Sequence, residues 1–118
     1  MRTYLIEPQT IFVPYLRRVL SSAGCEVIAT SQGVDAREIG ALDPAAIFVD
    51  VDFLERGGPT ALCRIREVAR SAQLIALSES SDEMFTATCV ISGATAVCSK
   101  SDGEEKILRA LRRAVAAT

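Results

Sequence analysis

Ala45-Ala46-Ile47-Phe48-Val49-Asp50-Val51-Asp52 runs through five apolar residues without a polar break and then meets a carboxylate. A run this short, rich in Ile, Phe and Val, reads as a strand buried on both faces, as in a parallel sheet. Ligand crevices of open parallel sheets lie beyond the carboxyl ends of the strands, where Asp50 stands. An Asp at that place also serves as a turn former or cap, so its meaning depends on what else reaches the crevice.

Outward from this strand, the pattern alternates. Upstream, Thr3-Tyr4-Leu5-Ile6 is β-prone and ends at Glu7-Pro8, since Pro8 has no N–H and biases Glu7 toward extended backbone. Thr10 is expected to cap a helix carrying Ile11, Phe12, Tyr15, Leu16, Val19 and Leu20 inward, with Pro14 forcing a late or kinked start. Ala23-Gly24 closes it. Glu26–Thr30 is a second strand, and Gln32-Gly33 opens a short helix to about Ala41, with Val34, Ile39 and Leu42 as its apolar contacts. Asp43-Pro44 ends that helix.

Downstream, Phe53-Leu54-Glu55-Arg56-Gly57-Gly58-Pro59 is a loop by composition, and Pro59 suits the start of a helix. Leu62, Ile65, Ala69 and Cys63 form that helix's inner stripe. Gln73–Leu77 is the fourth strand. Ser80-x-x-Glu83 has the pattern of a capping box, with Met84, Phe85, Ala87, Thr88, Val90 and Ile91 following. Ala94–Cys98 is the fifth strand. Ser101-x-x-Glu104 is a second capping box, before Ile107, Leu108, Leu111 and Val115. Five strands alternating with five helices predict a doubly wound parallel α/β sheet in one domain, residues 1–118.

Bulk properties narrow the function. Thirteen Lys and Arg against fifteen Asp and Glu leave a net charge of −2, which gives no basic field for a phosphate backbone. No nucleic-acid contact is expected of this domain. No apolar run reaches membrane-spanning length, so a cytoplasmic protein without a membrane segment is expected. Cys25, Cys63, Cys89 and Cys98 lack CxxC spacing and have no His to join them. They read as buried thiols rather than a zinc site or a disulfide. No GxGxxG or P-loop lysine motif supports a nucleotide- or flavin-binding enzyme.

The ends of strands one, three, four and five carry Glu7, Asp50 with Asp52, Ser78 and Lys100. Carboxylates there suit Mg²⁺, which prefers oxygen ligands. A carboxylate beside such an ion can accept a phosphoryl group, with the amine and hydroxyl holding the new oxygens.

These landmarks resemble the receiver domain of bacterial response regulators, the CheY-like fold, over essentially the whole chain. The resemblance rests on Pro44–Asp50, Gly58 eight residues later, Ser78 after Ala76-Leu77, and the stretch Gly93–Lys100. It implies strand order 2-1-3-4-5, the order for which CheY is a standard example. It implies Asp50 as phosphoacceptor, Ser78 and Lys100 as phosphate-binding groups, and Glu7, Asp50 and Asp52 around Mg²⁺. It implies no enzyme beyond self-catalysed phosphotransfer to Asp50. The partners implied are a histidine kinase or phosphotransfer protein and a separate output protein, because no tail long enough for an output domain follows the last helix. A homodimer would use the Met84-to-Ile91 helix, the Val97 strand and the Ile107-to-Val115 helix.

The chain departs from the family pattern at several of these places. Pro8 stands where the second acid of the metal pair is usual, and Leu54 where a proline shapes the loop. Glu79 replaces a small residue, Val97 the switch aromatic, and Ser101 the proline after the lysine. An atypical receiver follows: weakly phosphorylated with Mg²⁺ binding weakened by Pro8, or a phosphorylation-independent module that binds proteins. Asp52 and Glu79 are candidates to replace the missing carboxylate. Arg109, Arg112 and Arg113 lie on the expected outer side of the last helix.

Overall fold

Alternation along single strands places the core. In the computed structural model, which describes residues 1–54, 57–100 and 105–110, Tyr4 and Ile6 pack on one face and Leu5 on the other. Ile47 and Val49 oppose Ala46 and Phe48, and Leu74 and Ala76 oppose Ile75 and Leu77. Such a period of two, apolar at every position, is what a sheet covered on both faces requires.

The strands are β1 (Arg2–Ile6), β2 (Glu26–Ser31), β3 (Ala46–Asp50), β4 (Gln73–Leu77) and β5 (Ala96–Cys98). All four pairings are parallel, in the order β2-β1-β3-β4-β5. The fold class expected from the sequence is therefore the one observed, with β3 and β4 buried throughout and the edge strands β2 and β5 only partly covered.

The helices are α1 (Val13–Ser22), α2 (Ala36–Leu42), α3 (Gly58–Val68), α4 (Glu83–Ile91) and α5, described over 105–110. Leu16, Val19 and Leu20 of α1 share one core with Ile107 and Ala110 of α5. Ile39 of α2, Leu62 and Ile65 of α3 and Cys89 of α4 fill the other. The Leu, Ile and Val side chains among these each contribute about 1.5–3 kcal/mol by leaving water.

Several boundaries differ from the expectation. Thr10 caps nothing with its side chain; Thr10–Phe12 is a separate 3-10 turn, and Pro14 sits in the first turn of α1. Pro14 thus delays the helix, and Ile11, Phe12 and Tyr15 face outward rather than into the core. α2 opens at Asp35, not Gln32-Gly33, because the Asp35 carboxylate accepts the Glu38 N–H at 3.0 Å. α4 starts at Asp82, whose carboxylate accepts the Met84 N–H at 2.9 Å, so Ser80 is not its cap.

Met84, Val90 and Ile91 are exposed, leaving Cys89 as the buried residue of α4. Cys63 is exposed too, so it does not belong to the inner stripe of α3; none of the four cysteines is in a disulfide. The capping box at Ser101 and Glu104, and Leu111, Arg112, Arg113 and Val115, lie outside the described residues.

Candidate functional site

β1 and β3 are neighbours, so their carboxyl ends set Glu7 and Asp50 side by side, both without exposed surface. Leu77 pairs with Cys98 on the next strands, which brings Ser78 and Lys100 to the same rim. The Ser78 N–H donates to the Cys98 carbonyl at 2.8 Å.

Lys100 Nζ joins the two carboxylates. It donates to Glu7 Oε1 at 2.8 Å, to Asp50 Oδ2 through a shorter ion pair, and to Gln9 Oε1 at 3.4 Å. Asp50 Oδ1 accepts the N–H groups of Asp52 at 2.8 Å and Phe53 at 3.3 Å. Both oxygens of Asp50 are thereby fixed. Glu7 Oε2 is buried with no partner. Burial pushes the Glu7 carboxyl up to about 7; the bond from Lys100 pulls it down, and the neighbouring Asp50 adds to the rise. Burial pushes the Lys100 amine down, but its bonds to Asp50 and Glu7 outweigh this and the net direction is upward.

Ser78 and Asp52 form a second group. Ser78 Oγ donates to Asp52 Oδ1 at 2.7 Å, the Glu79 N–H donates to Asp52 Oδ2 at 2.7 Å, and the Ser80 N–H donates to Ser78 Oγ at 3.1 Å. The Glu79 carboxylate accepts from Ser99 Oγ at 2.7 Å. The structure therefore brings Glu7, Asp50 and Lys100 together and turns the Asp52 side chain away, toward Ser78.

Two residues absent from the sequence-derived site cover Lys100. Its Nζ lies over the Phe12 ring at 4.5 Å from the centroid and over the Phe53 ring at 5.3 Å. With Gln9, Tyr15 and Glu79 they line a groove of about 640 Å³ above the amine. Pro14 was the signal for Phe12: by delaying α1 it releases the preceding turn from the core side. Phe53 had no signal beyond an aromatic residue in a loop.

The sequence matches the response regulator receiver domain family over residues 4–112. The chain belongs to that family. It is thus a receiver domain of the two-component response regulators, a family of signalling modules that is generally non-enzymatic and works with kinases, phosphotransfer proteins and output domains. Among curated relatives, it is 25% identical over 116 residues to the DNA-binding transcriptional activator EvgA of Escherichia coli K12, covering 97% of this chain and 57% of that protein. The chain spans little more than half the length of the curated relatives it matches.

Solved receivers share the fold. The signal receiver domain of NarL from Mycobacterium tuberculosis superposes with a TM-score of 0.84 at 16% identity, over 99% of this chain and 97% of the other. A Burkholderia pseudomallei response regulator with a phosphorylated aspartic acid, calcium ion and citrate gives 0.82 at 22% identity, over 98% and 69%. CheY in the CheX-CheY-BeF3-Mg complex of Borrelia burgdorferi gives 0.79 at 21% identity, over 94% and 86%.

Receiver domains typically bind Mg²⁺. The described side chains here offer such an ion few uncommitted oxygens. Pro8 offers no side-chain ligand. One oxygen each of Glu7 and Asp50 is held by Lys100, and both oxygens of Asp52 accept other bonds. Among the described residues no group of three or more His, Cys, Asp or Glu is placed to hold a metal. The Asp52 carboxylate does not join Glu7 and Asp50, because the loop after β3 commits it to the Ser78 hydroxyl and the Glu79 N–H at the end of β4. The Glu79 carboxylate, the other candidate replacement, accepts from Ser99 Oγ. The described helices include none long and apolar enough to cross a membrane.

Proposed function

We propose that this chain is an atypical receiver in which Asp50 is the phosphoacceptor and is phosphorylated weakly. The observation that carries this reading is the Lys100 ammonium seated on both Asp50 and Glu7. In the transfer, an Asp50 oxygen attacks phosphorus and the bond to the donor's leaving group breaks, that group departing with the electron pair. The product is an acyl phosphate at Asp50. Lys100 then shifts its donors from the carboxylate to the new phosphoryl oxygens, while Ser78 releases Asp52 to do the same.

Three features slow the step. Pro8 removes a metal-binding acid, so Mg²⁺ binding is weakened. Glu7 keeps a second carboxylate beside the incoming anion. Phe12 and Phe53 stand over the amine. The donor on this reading is a histidine kinase or phosphotransfer protein, the reader is a separate output protein, and the setting is the cytoplasm. Self-association through α4, whose Met84, Val90 and Ile91 are exposed, fits the same reading. Acetyl phosphate with Mg²⁺ tests the acceptor by intact mass: a small fraction gains one phosphoryl group, and Asp50→Asn gains none. Labelling that survives Asp50→Asn rejects the assignment.

A second reading, a phosphorylation-independent module that binds proteins, is favoured by one contact. The Ser78 hydroxyl that would answer to a phosphoryl group is already held by Asp52 at 2.7 Å. Partner capture unchanged in Asp50→Ala would select this reading, and capture lost would remove it.

A further inference from the structure

Val51, the residue after β3, continues the ladder: its N–H donates to the Leu77 carbonyl at 3.0 Å. That bond lays Asp52 opposite the end of β4, where Ser78 and Glu79 follow Leu77. The Asp52 N–H donates to Asp50 Oδ1 at 2.8 Å, while its own carboxylate crosses to β4. There Asp52 Oδ1 accepts from Ser78 Oγ at 2.7 Å, and Oδ2 accepts from the Glu79 N–H at 2.7 Å. One residue straps Asp50 to the end of the next strand.

Proton counting makes the strap exclusive. A serine hydroxyl has one proton to donate, and a backbone amide has one. Both are spent on Asp52, and Ser78 Oγ in turn accepts the Ser80 N–H at 3.1 Å. A phosphoryl group on Asp50 would find these two donors already on an anion. Ser78 is only 3% exposed, so its hydroxyl cannot turn to solvent instead. Asp52 is exposed, so its carboxylate can leave for water.

Resting on the reading of Asp50 as phosphoacceptor, we propose that Asp52 is autoinhibitory: its carboxylate stands in for a phosphoryl group at Ser78 Oγ and the Glu79 N–H, and must be displaced before Asp50 can hold one there. In the step, a bond forms between an Asp50 oxygen and phosphorus. The bridging phosphorus–oxygen bond of the donor breaks, and its leaving group takes the electron pair. The Asp52 carboxylate passes to water with its charge. The protons of Ser78 and the Glu79 amide stay where they are and turn to the new phosphoryl oxygens.

The full chain with acetyl phosphate and Mg²⁺, followed by intact mass, tests this in a cycle of Asp52→Ala, Ser78→Ala and the double variant. Asp52→Ala is expected to gain the phosphoryl group about tenfold faster than the parent, the order of one bond to a charged group. In the Ser78→Ala background the same substitution is expected to give less than about twofold, since the partner it would free is gone. Simple removal of a negative charge would instead speed both backgrounds alike. Asp52→Asn keeps one acceptor oxygen and falls between the parent and Asp52→Ala. Amide hydrogen exchange, read without any phosphodonor, is expected to show the Glu79 N–H about tenfold less protected in Asp52→Ala. A labelled parent with no acceleration in Asp52→Ala, acceleration that survives Ser78→Ala, or unchanged protection at Glu79 would each overturn the strap and leave Asp50 as acceptor. No label on either the parent or Asp52→Ala, or label that survives Asp50→Asn, would overturn the acceptor reading and the strap with it.

Discussion

Glu7 has no exposed surface, and its two carboxylate oxygens differ: Oε1 meets Lys100 at 2.8 Å while Oε2 has no partner. Lys100 is therefore the counter-charge for two buried acids, and removing it leaves both uncompensated. Lys100→Met is expected to cost about 3–5 kcal/mol, read from urea unfolding, as for other buried ion pairs broken on one side. Pro8→Asp restores a carboxylate next to Glu7, and calorimetric titration should then show Mg²⁺ binding tighter than in the parent chain. An unchanged affinity would mean that the grip of Lys100 on Glu7 and Asp50, not the missing acid, limits the metal. The residue types and their strand-end positions were legible in the sequence, since a strand end is fixed by where the apolar run stops. Which oxygen meets which donor was not. Asp50 and Asp52 are two residues apart and chemically alike, yet the loop sends one to Lys100 and the other to Ser78.

Strands proved easier to delimit than helices, and the reason is local. β4 is Gln73–Leu77 as the apolar run indicates, because both its faces are buried. α2 and α4 start later than expected because the side chains that cap them, Asp35 and Asp82, come after the residues at which the sequence pattern placed each start. The start of α3 carries a different constraint. A Cβ on Gly58 would lie 2.6 Å from Val51 Cβ and 3.1 Å from the Val51 carbonyl oxygen. Gly58→Ala is expected to destabilise by about 1–3 kcal/mol in thermal melts, the cost of overpacking. Gly33→Ala, with nothing within 4 Å, serves as the control. The end of α3 is tied down by Arg66, whose guanidinium donates to the carbonyls of Ala69, Arg70, Ala72 and Gly93. Arg66→Met leaves those carbonyls without their donor, and a loss of about 2–4 kcal/mol is expected, since bonds to charged donors are worth more than neutral ones. Faster amide exchange at Gly93 and Ala94 would locate the loss at the turn into β5.

At the scale of the molecule, the buried acid makes stability depend on pH. The Glu7 carboxyl titrates at about 7 in the fold against an ordinary value of 4.5, so between these limits the folded state holds the extra proton. Stability from this group is thus fully present at low pH, falls as pH rises from about 4.5 to about 7, and levels off above. Lys100 and Asp50 are the groups that face it. Denaturant midpoints measured across that window should fall with rising pH in the parent chain and flatten in Glu7→Gln. A slope that survives the substitution would place the proton elsewhere. The same ion pair has a bearing on biosynthesis. Glu7 and Lys100 are separated by 93 residues, so the two acids leave the ribosome long before the amine that balances them. Until β5 docks, a nascent sheet holds charges it cannot bury, and arrival of the last strand closes the structure like a latch.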